Sequence, residues 1–280
     1  MKNYNNNCPL CNETQELKNF SWSPHIIFSC KNCGLDYCNN MDIKDIDGDS
    51  SPVHQQGIEM MAGSFHTTQK LADRLCNARL KVYEDILDHP CRNVLEVGCG
   101  PGVFHRPFSM RRVDWTGIDI NPYWKKFGQQ NNVPISTHPL NEVEGKFDVV
   151  IAYQVLEHVK YPMSFMALLT DRLRSGGILH LELPNHQSLT AKMRKISPLI
   201  SKDYGFIQPP MHLRAYQRKT LQYLVNQLNM ETKLITVCAN NHPVWGQVRN
   251  WNMIQHLLYF ISGTLGMGSL LVGLAQKVKT

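Results

Sequence analysis

The sequence lacks an uninterrupted apolar run of membrane-spanning length. Its first residues, MKNYNNNCPLC, contain no apolar segment of the kind found in signal peptides. The nearest approach to a span is residues 250–276, which hold no Asp, Glu, Lys or Arg but are interrupted by glycines and hydroxyl side chains. We therefore expect a helix ending near Gly263, a turn and a last strand over Ser269–Ala275, without a transmembrane span. A peripheral membrane contact by residues 250–275 stays open as an alternative.

An even, widely spread set of cysteines is also lacking. The chain has nine cysteines, and five of them lie within its first forty residues. This distribution does not fit a secreted disulfide scaffold, so we expect a reduced protein of the cytoplasm. With 280 residues, 42% hydrophobic and 19% charged, the chain has the composition of a globular protein, which excludes a disordered or collagen-like one. The net charge of +6 leaves nucleic acid, membrane surfaces and anionic small molecules open as partners.

Two Cys-x-x-Cys pairs, Cys8 with Cys11 and Cys30 with Cys33, are separated by 18 residues. This spacing is typical of zinc ribbons, in which four thiolates surround one Zn²⁺ at about 2.3 Å. A domain of this size buries little apolar surface, so the metal would supply much of its stability. A set of unrelated buried thiols is the alternative interpretation.

We predict three parts in the chain. Residues 1–45 form the zinc ribbon, residues 46–66 a polar linker broken by glycine and proline, and residues 67–280 an α/β domain. Within that domain we expect a lid at about 186–218 and a C-terminal helix and last strand over 250–280.

Strand-like and helix-like segments alternate in the α/β domain, which favours a mostly parallel sheet with helices on both faces. The predicted strands are Asn93–Val97, Trp115–Ile120, Phe147–Ala152, Ile178–Leu183, Thr232–Ala239 and Ser269–Ala275. The predicted helices begin at Thr67, at Met163 and at Lys219.

A glycine-rich loop, Gly98-Cys99-Gly100-Pro101-Gly102, directly follows the first of these strands. Such a loop lets a ligand approach the backbone at the carboxyl end of a parallel sheet. Asp119 ends the next strand, 17 residues past Gly102, a spacing that suits a carboxylate holding a ribose diol. The glycine spacing is not the G-x-G-x-x-G of dinucleotide sites, and Glu96 just before the loop would repel a pyrophosphate but attract a cationic cofactor.

The segment Val94–Gly102 resembles motif I of the class I S-adenosylmethionine-dependent methyltransferases, and further segments match that family in order. They are Thr116–Ile120, Phe147–Val150 with Val155–Val159, Leu173–Gly177 with Leu183–Asn185, and His212–Arg214. The resemblance covers about residues 67–240 and the final strand. It implies a doubly wound, mostly parallel seven-stranded sheet of the Rossmann-like methyltransferase type.

The resemblance also implies the cofactor and the residues around it. S-adenosyl-L-methionine is the expected cofactor, with Glu96, Gly98, Gly100 and Asp119 lining its site and Gln154 facing it from the loop after the fourth strand. The zinc ribbon adds a structural Zn²⁺ to the expected cofactors.

Methyl transfer to a hydroxyl group requires a base that removes the hydroxyl proton, because the sulfonium already makes the methyl carbon electrophilic. We predict His158 or His212 as that base, and O-methylation of a small metabolite or of a glycan or lipid precursor as the reaction. Methylation of a nucleic-acid amino group is disfavoured, because Ala152-Tyr153-Gln154-Val155 stands where such enzymes carry an N-P-P-Y-like motif. An RNA methyltransferase guided by the zinc ribbon stays open as the alternative.

The positive charge of the chain is concentrated in one segment. Residues 1–45 contain four basic and five acidic residues, a net charge of −1, whereas residues 191–220 contain seven basic residues and one acidic residue, a net charge of +6. The ribbon is therefore a poor RNA clamp. A basic lid favours an anionic small-molecule acceptor, with a solvated basic face as the other interpretation.

Overall fold

The computed structural model describes residues 7–14, 17–22, 25–38, 52–197, 199, 201–209, 211–249, 253, 257 and 262–279. The strands are, in chain order, β1 (Leu17–Trp22), β2 (His25–Cys30), β3 (Asp36–Cys38), β4 (Asn93–Val97), β5 (Asp114–Ile118), β6 (Ile135–Ser136), β7 (Phe147–Tyr153), β8 (Leu173–Pro184), β9 (Arg214–Ala215), β10 (Met230–Cys238) and β11 (Leu270–Lys277). The helices are α1 (Pro52–Ser64), α2 (Gln69–Leu87), α3 (His105–Ser109), α4 (Pro122–Asn131), α5 (Pro162–Asp171), α6 (Leu189–Arg194) and α7 (Arg218–Gln227).

Seven strands form the larger sheet, in the order β10-β11-β8-β7-β4-β5-β6. Strands β4 to β8 are parallel to one another, and β11 runs antiparallel to both β8 and β10. Alternate residues of the central strands enter two different apolar clusters, for example Leu95 and Val150 on one face and Val94 and Val149 on the other. The doubly wound, mostly parallel sheet expected from the sequence is therefore confirmed.

The carboxyl ends of β4, β5, β7 and β8 meet at one edge of this sheet. Capping interactions fix where the helices α2 and α4, which flank that edge, begin or end. Helix α2 turns Leu75, Tyr83 and Leu87 inward and is capped by Asp88, whose N–H donates to the Glu84 carbonyl. Helix α4 begins at Pro122, with three residues between it and β5, because the side chain of Asn121 caps it by accepting a hydrogen bond from the Tyr123 N–H.

A second, four-stranded antiparallel sheet has the order β1-β2-β3-β9. Its first three strands belong to the cysteine-rich segment, whereas β9 comes from the segment between β8 and α7. Three side chains of that segment and of the start of α7 donate to backbone carbonyl groups of the ribbon: Arg214 to Cys38 at 2.9 Å, Gln217 to Gly34 at 2.6 Å and Lys219 to Lys31 at 2.5 Å. The ribbon is thus packed against the larger domain by shared backbone pairing.

Several element boundaries differ from the sequence-based expectation. Helix α1 occupies most of the segment expected as a linker, because Ile58 is buried in an apolar cluster with Phe65 and Leu75 and gives this polar stretch one buried face. Strand β8 begins at Leu173, where the sequence indicated a helix end and a Gly-Gly turn.

The C-terminal segment lies partly outside the described residues. Residues 262–264 are helical and β11 follows, as expected, whereas most of residues 250–261 are not described. Among the described residues, no helix has both the length and the apolar character needed to cross a membrane.

Candidate functional site

The glycine loop is tied to the neighbouring strand and open on one side. The backbone N–H groups of Gly98 and Cys99 both donate to the Ile118 carbonyl, at 2.8 and 3.1 Å. A Cβ added at Gly98 would lie 2.5 Å from the Val155 side chain, whereas at Gly100 the nearest atom would be 3.9 Å away, on Trp124. Both glycines have a positive φ. The loop therefore leaves a cradle at Gly100 that a side chain would partly fill.

Asp119 lies at the rim of this cradle. Its Oδ2 accepts a hydrogen bond from the Gly100 N–H and its Oδ1 accepts one from the Asn121 N–H, both at 2.9 Å. These two bonds fix the carboxylate beside the loop, at the end of β5. A carboxylate at this place is a group that can accept hydrogen bonds from the hydroxyls of a ligand diol.

Glu96 is placed differently from Asp119. It is buried at the end of β4, and its Oε2 accepts a hydrogen bond from the Trp115 indole N–H at 2.7 Å. Burial raises the pKa of Glu96 to about 7, although the bond from Trp115 acts in the opposite direction. Glu96 therefore lies on the protein side of the loop, with a carboxyl group that is easily protonated.

Gln154 begins the loop after β7 and carries an unsatisfied polar group. Its backbone has a φ of 55°, and its N–H donates to the Glu182 carbonyl at 2.8 Å. The side-chain Nε2 is buried, and no described residue hydrogen-bonds to it. Because an unpaired buried donor costs free energy, this amide suits the polar group of a ligand at the same sheet edge.

The structure brings the two predicted histidines together and adds a carboxylate to them. Ligand atoms of Glu157, His158 and His212 all lie within 4.8 Å of one another, and the two imidazole rings have centroids 4.7 Å apart. The backbone holds them there: the Leu213 N–H donates to the Glu157 carbonyl, and the Tyr216 hydroxyl donates to the Leu156 carbonyl. Glu157 was assigned no role from the sequence, although it directly precedes His158.

Burial sets the protonation of this cluster. It raises the pKa of Glu157 to about 8, and neither carboxylate oxygen has a hydrogen-bond partner among the described residues. Burial lowers the pKa of His212 to about 3, and His158 acts in the same direction when its ring is protonated. At neutral pH Glu157 is therefore mainly protonated and His212 neutral.

The tautomer of His158 follows from one contact. Its Nδ1 lies 2.9 Å from the Met211 carbonyl, which can only accept a hydrogen bond, so Nδ1 carries the proton and the neutral ring has its lone pair on Nε2. The cluster can therefore accept a proton at Nε2 of His158. A carboxylate with two imidazoles is also a donor set that can hold a divalent cation.

The four cysteines predicted as metal ligands are also brought together. Their Sγ atoms all lie within 4.8 Å of one another, with Cys8 and Cys33 at 3.6 Å and Cys11 and Cys30 at 3.5 Å. Four sulfurs bound at about 2.3 Å to one tetrahedral zinc would be about 3.8 Å apart, so the geometry fits this ion. All nine cysteines are free thiols.

Sequence reasoning missed a buried ionic centre below the candidate site. Arg79 on α2 is almost fully buried, with Nη2 2.8 Å from Oε1 of Glu182. The same guanidinium donates to the carbonyl groups of Val244 and Gly246 and lies 4.7 Å from the ring centre of Tyr153. Arg79 thereby attaches the segment after β10 to the sheet edge. The sequence feature that indicates this ion pair is Glu182, an acidic residue within the largely apolar strand β8.

Three of the seven cations of the basic segment 191–220 contact the ribbon. Lys195 lies 3.9 Å from Asp36 of the ribbon and donates to the His186 carbonyl. His186 itself lies 3.0 Å from Asp36, and Arg214 and Lys219 donate to ribbon carbonyls as described above. These three cations are therefore held by groups of the protein itself.

Curated relatives share this region only in part. An O-methyltransferase of ubiquinone biosynthesis from Candida albicans is 32% identical over 117 residues, which cover 36% of this chain and 35% of that protein. A protein of the same description from Xanthomonas campestris pv. campestris (strain B100) is 29% identical over 152 residues, 49% of this chain and 64% of that protein. The chain thus matches less than two thirds of the length of either relative.

Solved structures share the fold at low sequence identity. The plantazolicin methyltransferase BpumL in complex with SAH (S-adenosylhomocysteine) superposes with a TM-score of 0.58 and 14% identity, covering 85% of this chain and 94% of that chain. A SAM-dependent methyltransferase from Archaeoglobus fulgidus gives a TM-score of 0.51 at 18% identity, covering 75% of this chain and 94% of that chain. The family described as a methyltransferase domain matches residues 65–233, which is more than half of the chain. The chain belongs to this methyltransferase family.

Proposed function

We propose that the chain is an S-adenosylmethionine-dependent methyltransferase that methylates a hydroxyl oxygen of a small acceptor. The observation that carries this proposal is the cradle at Gly100, with Asp119 at its rim and the buried, unpartnered Nε2 of Gln154 at the same sheet edge. The relatives named for ubiquinone biosynthesis are O-methyltransferases, which supports oxygen as the methyl-accepting atom.

The residues present fit the cofactor. Asp119 would hold the ribose hydroxyls, and the backbone at Gly98 and Gly100 would approach the ligand closely. Gln154 would supply a hydrogen-bond donor, and Glu96 would support the loop from beneath. The bound cofactor supplies an electrophilic methyl carbon on a sulfonium. The chain's own residues then have to position the acceptor oxygen and remove its proton.

His158 is the base that this arrangement favours. Its Nδ1 proton is held by the Met211 carbonyl, so Nε2 can take the proton of an acceptor hydroxyl. His212 is less suited to hold that proton, because burial lowers its pKa to about 3, and we assign it a positioning role against the His158 ring. The neutral Glu157 carboxyl can donate a hydrogen bond to a ligand oxygen.

We further propose that Cys8, Cys11, Cys30 and Cys33 bind a structural zinc ion. Because β9 completes the sheet of the ribbon, this metal would stabilise the chain segment that carries His212.

The acidic net charge of the ribbon and its packing against the larger domain disfavour the alternative of an RNA-guiding module. The odd number and uneven spread of the nine cysteines favour the cytoplasm as the location, and a peripheral membrane contact by residues 250–275 remains a further proposal.

The proposal is tested with the full chain by calorimetric titration of SAH and by transfer of a labelled methyl group to 3,4-dihydroxybenzoate, an anionic catechol. We expect SAH to bind, and His158→Gln to lower kcat at least about 100-fold with unchanged SAH affinity. His89→Gln, at the exposed end of α2, is the matched control. Absence of SAH binding would refute the cofactor assignment, whereas normal turnover by His158→Gln would refute only the base.

A further inference from the structure

A cavity of about 690 Å³ lies between the first turns of α2 and the segment 241–249 after β10. Its volume is in the range of small-molecule sites. Arg79 connects this cavity to the candidate site, because it donates to the carbonyl of Gly246, one of the lining residues, and its guanidinium lies over the ring of Tyr153, the last residue of β7. Gln154 follows immediately.

The walls of this cavity are cationic. Lys70 and Arg74 line it from α2 and Arg249 from the opposite segment, and no Asp or Glu among the described residues lines it. Lys70 and Arg74 are one helical turn apart, so their side chains extend from the same face and their charges repel. The neighbouring acid Asp73 is paired with Arg111 at 2.8 Å, so it does not neutralise them.

Two neutral polar side chains add directed donors. The ring Nδ1 of His242 accepts hydrogen bonds from the N–H groups of Val244 and Trp245, both at 3.2 Å, so the proton of the neutral ring is on Nε2. Burial lowers the pKa of His242, which keeps the ring neutral. The amide of Gln247 lines the same cavity.

We propose that this cavity binds a phosphoryl group of the methyl acceptor. Three cationic side chains, in a lining that has no carboxylate where the structure describes it, match a group that carries more than one negative charge better than a single carboxylate. Guanidinium groups also bind phosphate oxygens in a bidentate manner. The basic segment 191–220 is a weaker candidate, since Lys195, Arg214 and Lys219 contact the ribbon. The inference rests on the proposed function, because it assigns the chemistry of its acceptor.

The test uses inorganic phosphate and pyrophosphate as probes, titrated calorimetrically into the full chain at constant ionic strength, with and without saturating SAH. We expect saturable binding to the unsubstituted protein, weakened at least tenfold by Lys70→Gln, by Arg74→Gln and by Arg249→Gln. Lys81→Gln, an exposed residue of the same helix outside the cavity, is the matched control and is expected to bind phosphate normally.

The outcomes separate the two proposals. Absent phosphate binding, or equal affinity in the cavity variants and Lys81→Gln, overturns the phosphoryl site even where SAH binds normally. Acetate binding as tightly as phosphate, with the same dependence on Lys70 and Arg74, overturns the assignment to phosphoryl in favour of a carboxylate. Failure of SAH to bind refutes the proposed function, and the titration without SAH still decides whether the cavity holds an anion.

Discussion

Two glycines with a positive φ allow the position of the cofactor to be tested apart from the stability of the chain. Gly100 has a φ of 52° and Gly145, between α4 and β7, a φ of 87°. A Cβ added at Gly100 has its nearest neighbour 3.9 Å away, and one added at Gly145 meets nothing within 4 Å. Alanine at either position therefore strains the backbone by about the same amount, about 1–2 kcal/mol, without a steric clash in the ligand-free chain.

The two substitutions differ only in what the new methyl group faces. We expect Gly100→Ala and Gly145→Ala each to lower Tm by about 2–8 °C, from the cost of the left-handed conformation. At Gly100 the methyl group would also occupy the space in which the cofactor meets the backbone. Overpacking of this kind costs about 1–3 kcal/mol, which corresponds to an SAH affinity about 5- to 150-fold lower.

The assay is calorimetric titration of SAH below the unfolding midpoint of each variant, with Tm measured by differential scanning calorimetry. Gly145→Ala should bind SAH as the unsubstituted protein does. Equal SAH affinities of the two variants, at comparable Tm, would show that the bound cofactor does not contact the loop at Gly100, and the placement of the site would be wrong.

Two further predictions concern the buried ion pair and the cysteine cluster. Arg79→Met leaves Glu182 buried without a countercharge, so we expect a loss of about 3–5 kcal/mol in the free energy of unfolding by urea denaturation. The double variant with Glu182→Gln should lose less than the sum of the two single effects, and strict additivity would contradict the pairing. Elemental analysis should find one zinc ion per chain, lost in Cys33→Ser together with a lower Tm, whereas Cys238→Ser keeps the zinc; a metal-free protein of unchanged Tm would contradict the zinc site.

The part of the fold that the sequence predicts well is the part set by local patterns. Strand β4 matches the expected Asn93–Val97, because a short apolar run ends at a glycine loop. Strand β8 starts earlier than predicted, since Gly176-Gly177 was interpreted as a break. In the structure, a Cβ at Gly177 would lie 3.0 Å from the Phe147 carbonyl oxygen, so a glycine there permits close passage beside β7.

The residues of the site divide in the same way, into those that a local sequence pattern identifies and those that meet only in the tertiary structure. The cysteine spacing and the two histidines were identified from local motifs, and the structure brings each set together. Arg79 and Glu182 are 103 residues apart, so no local pattern relates them. The net charge of the segment 191–220 follows from the sequence, but a net charge does not show which groups the cationic side chains contact. Tertiary contacts with Asp36 and with the ribbon carbonyls show where three of these seven cations lie, namely Lys195, Arg214 and Lys219.

The fourth strand of the ribbon sheet has a consequence for the order of folding. Arg214, in β9, is 176 residues away from Cys38, whose carbonyl accepts its hydrogen bond. During synthesis from the N-terminus, the cysteine-rich segment therefore emerges long before the strand that completes its sheet. Closing so long a loop is entropically costly, and such distant contacts form slowly. The edge of β3 remains uncovered until most of the chain has been made, so a ribbon cut away at residue 45 would carry a permanently exposed strand edge.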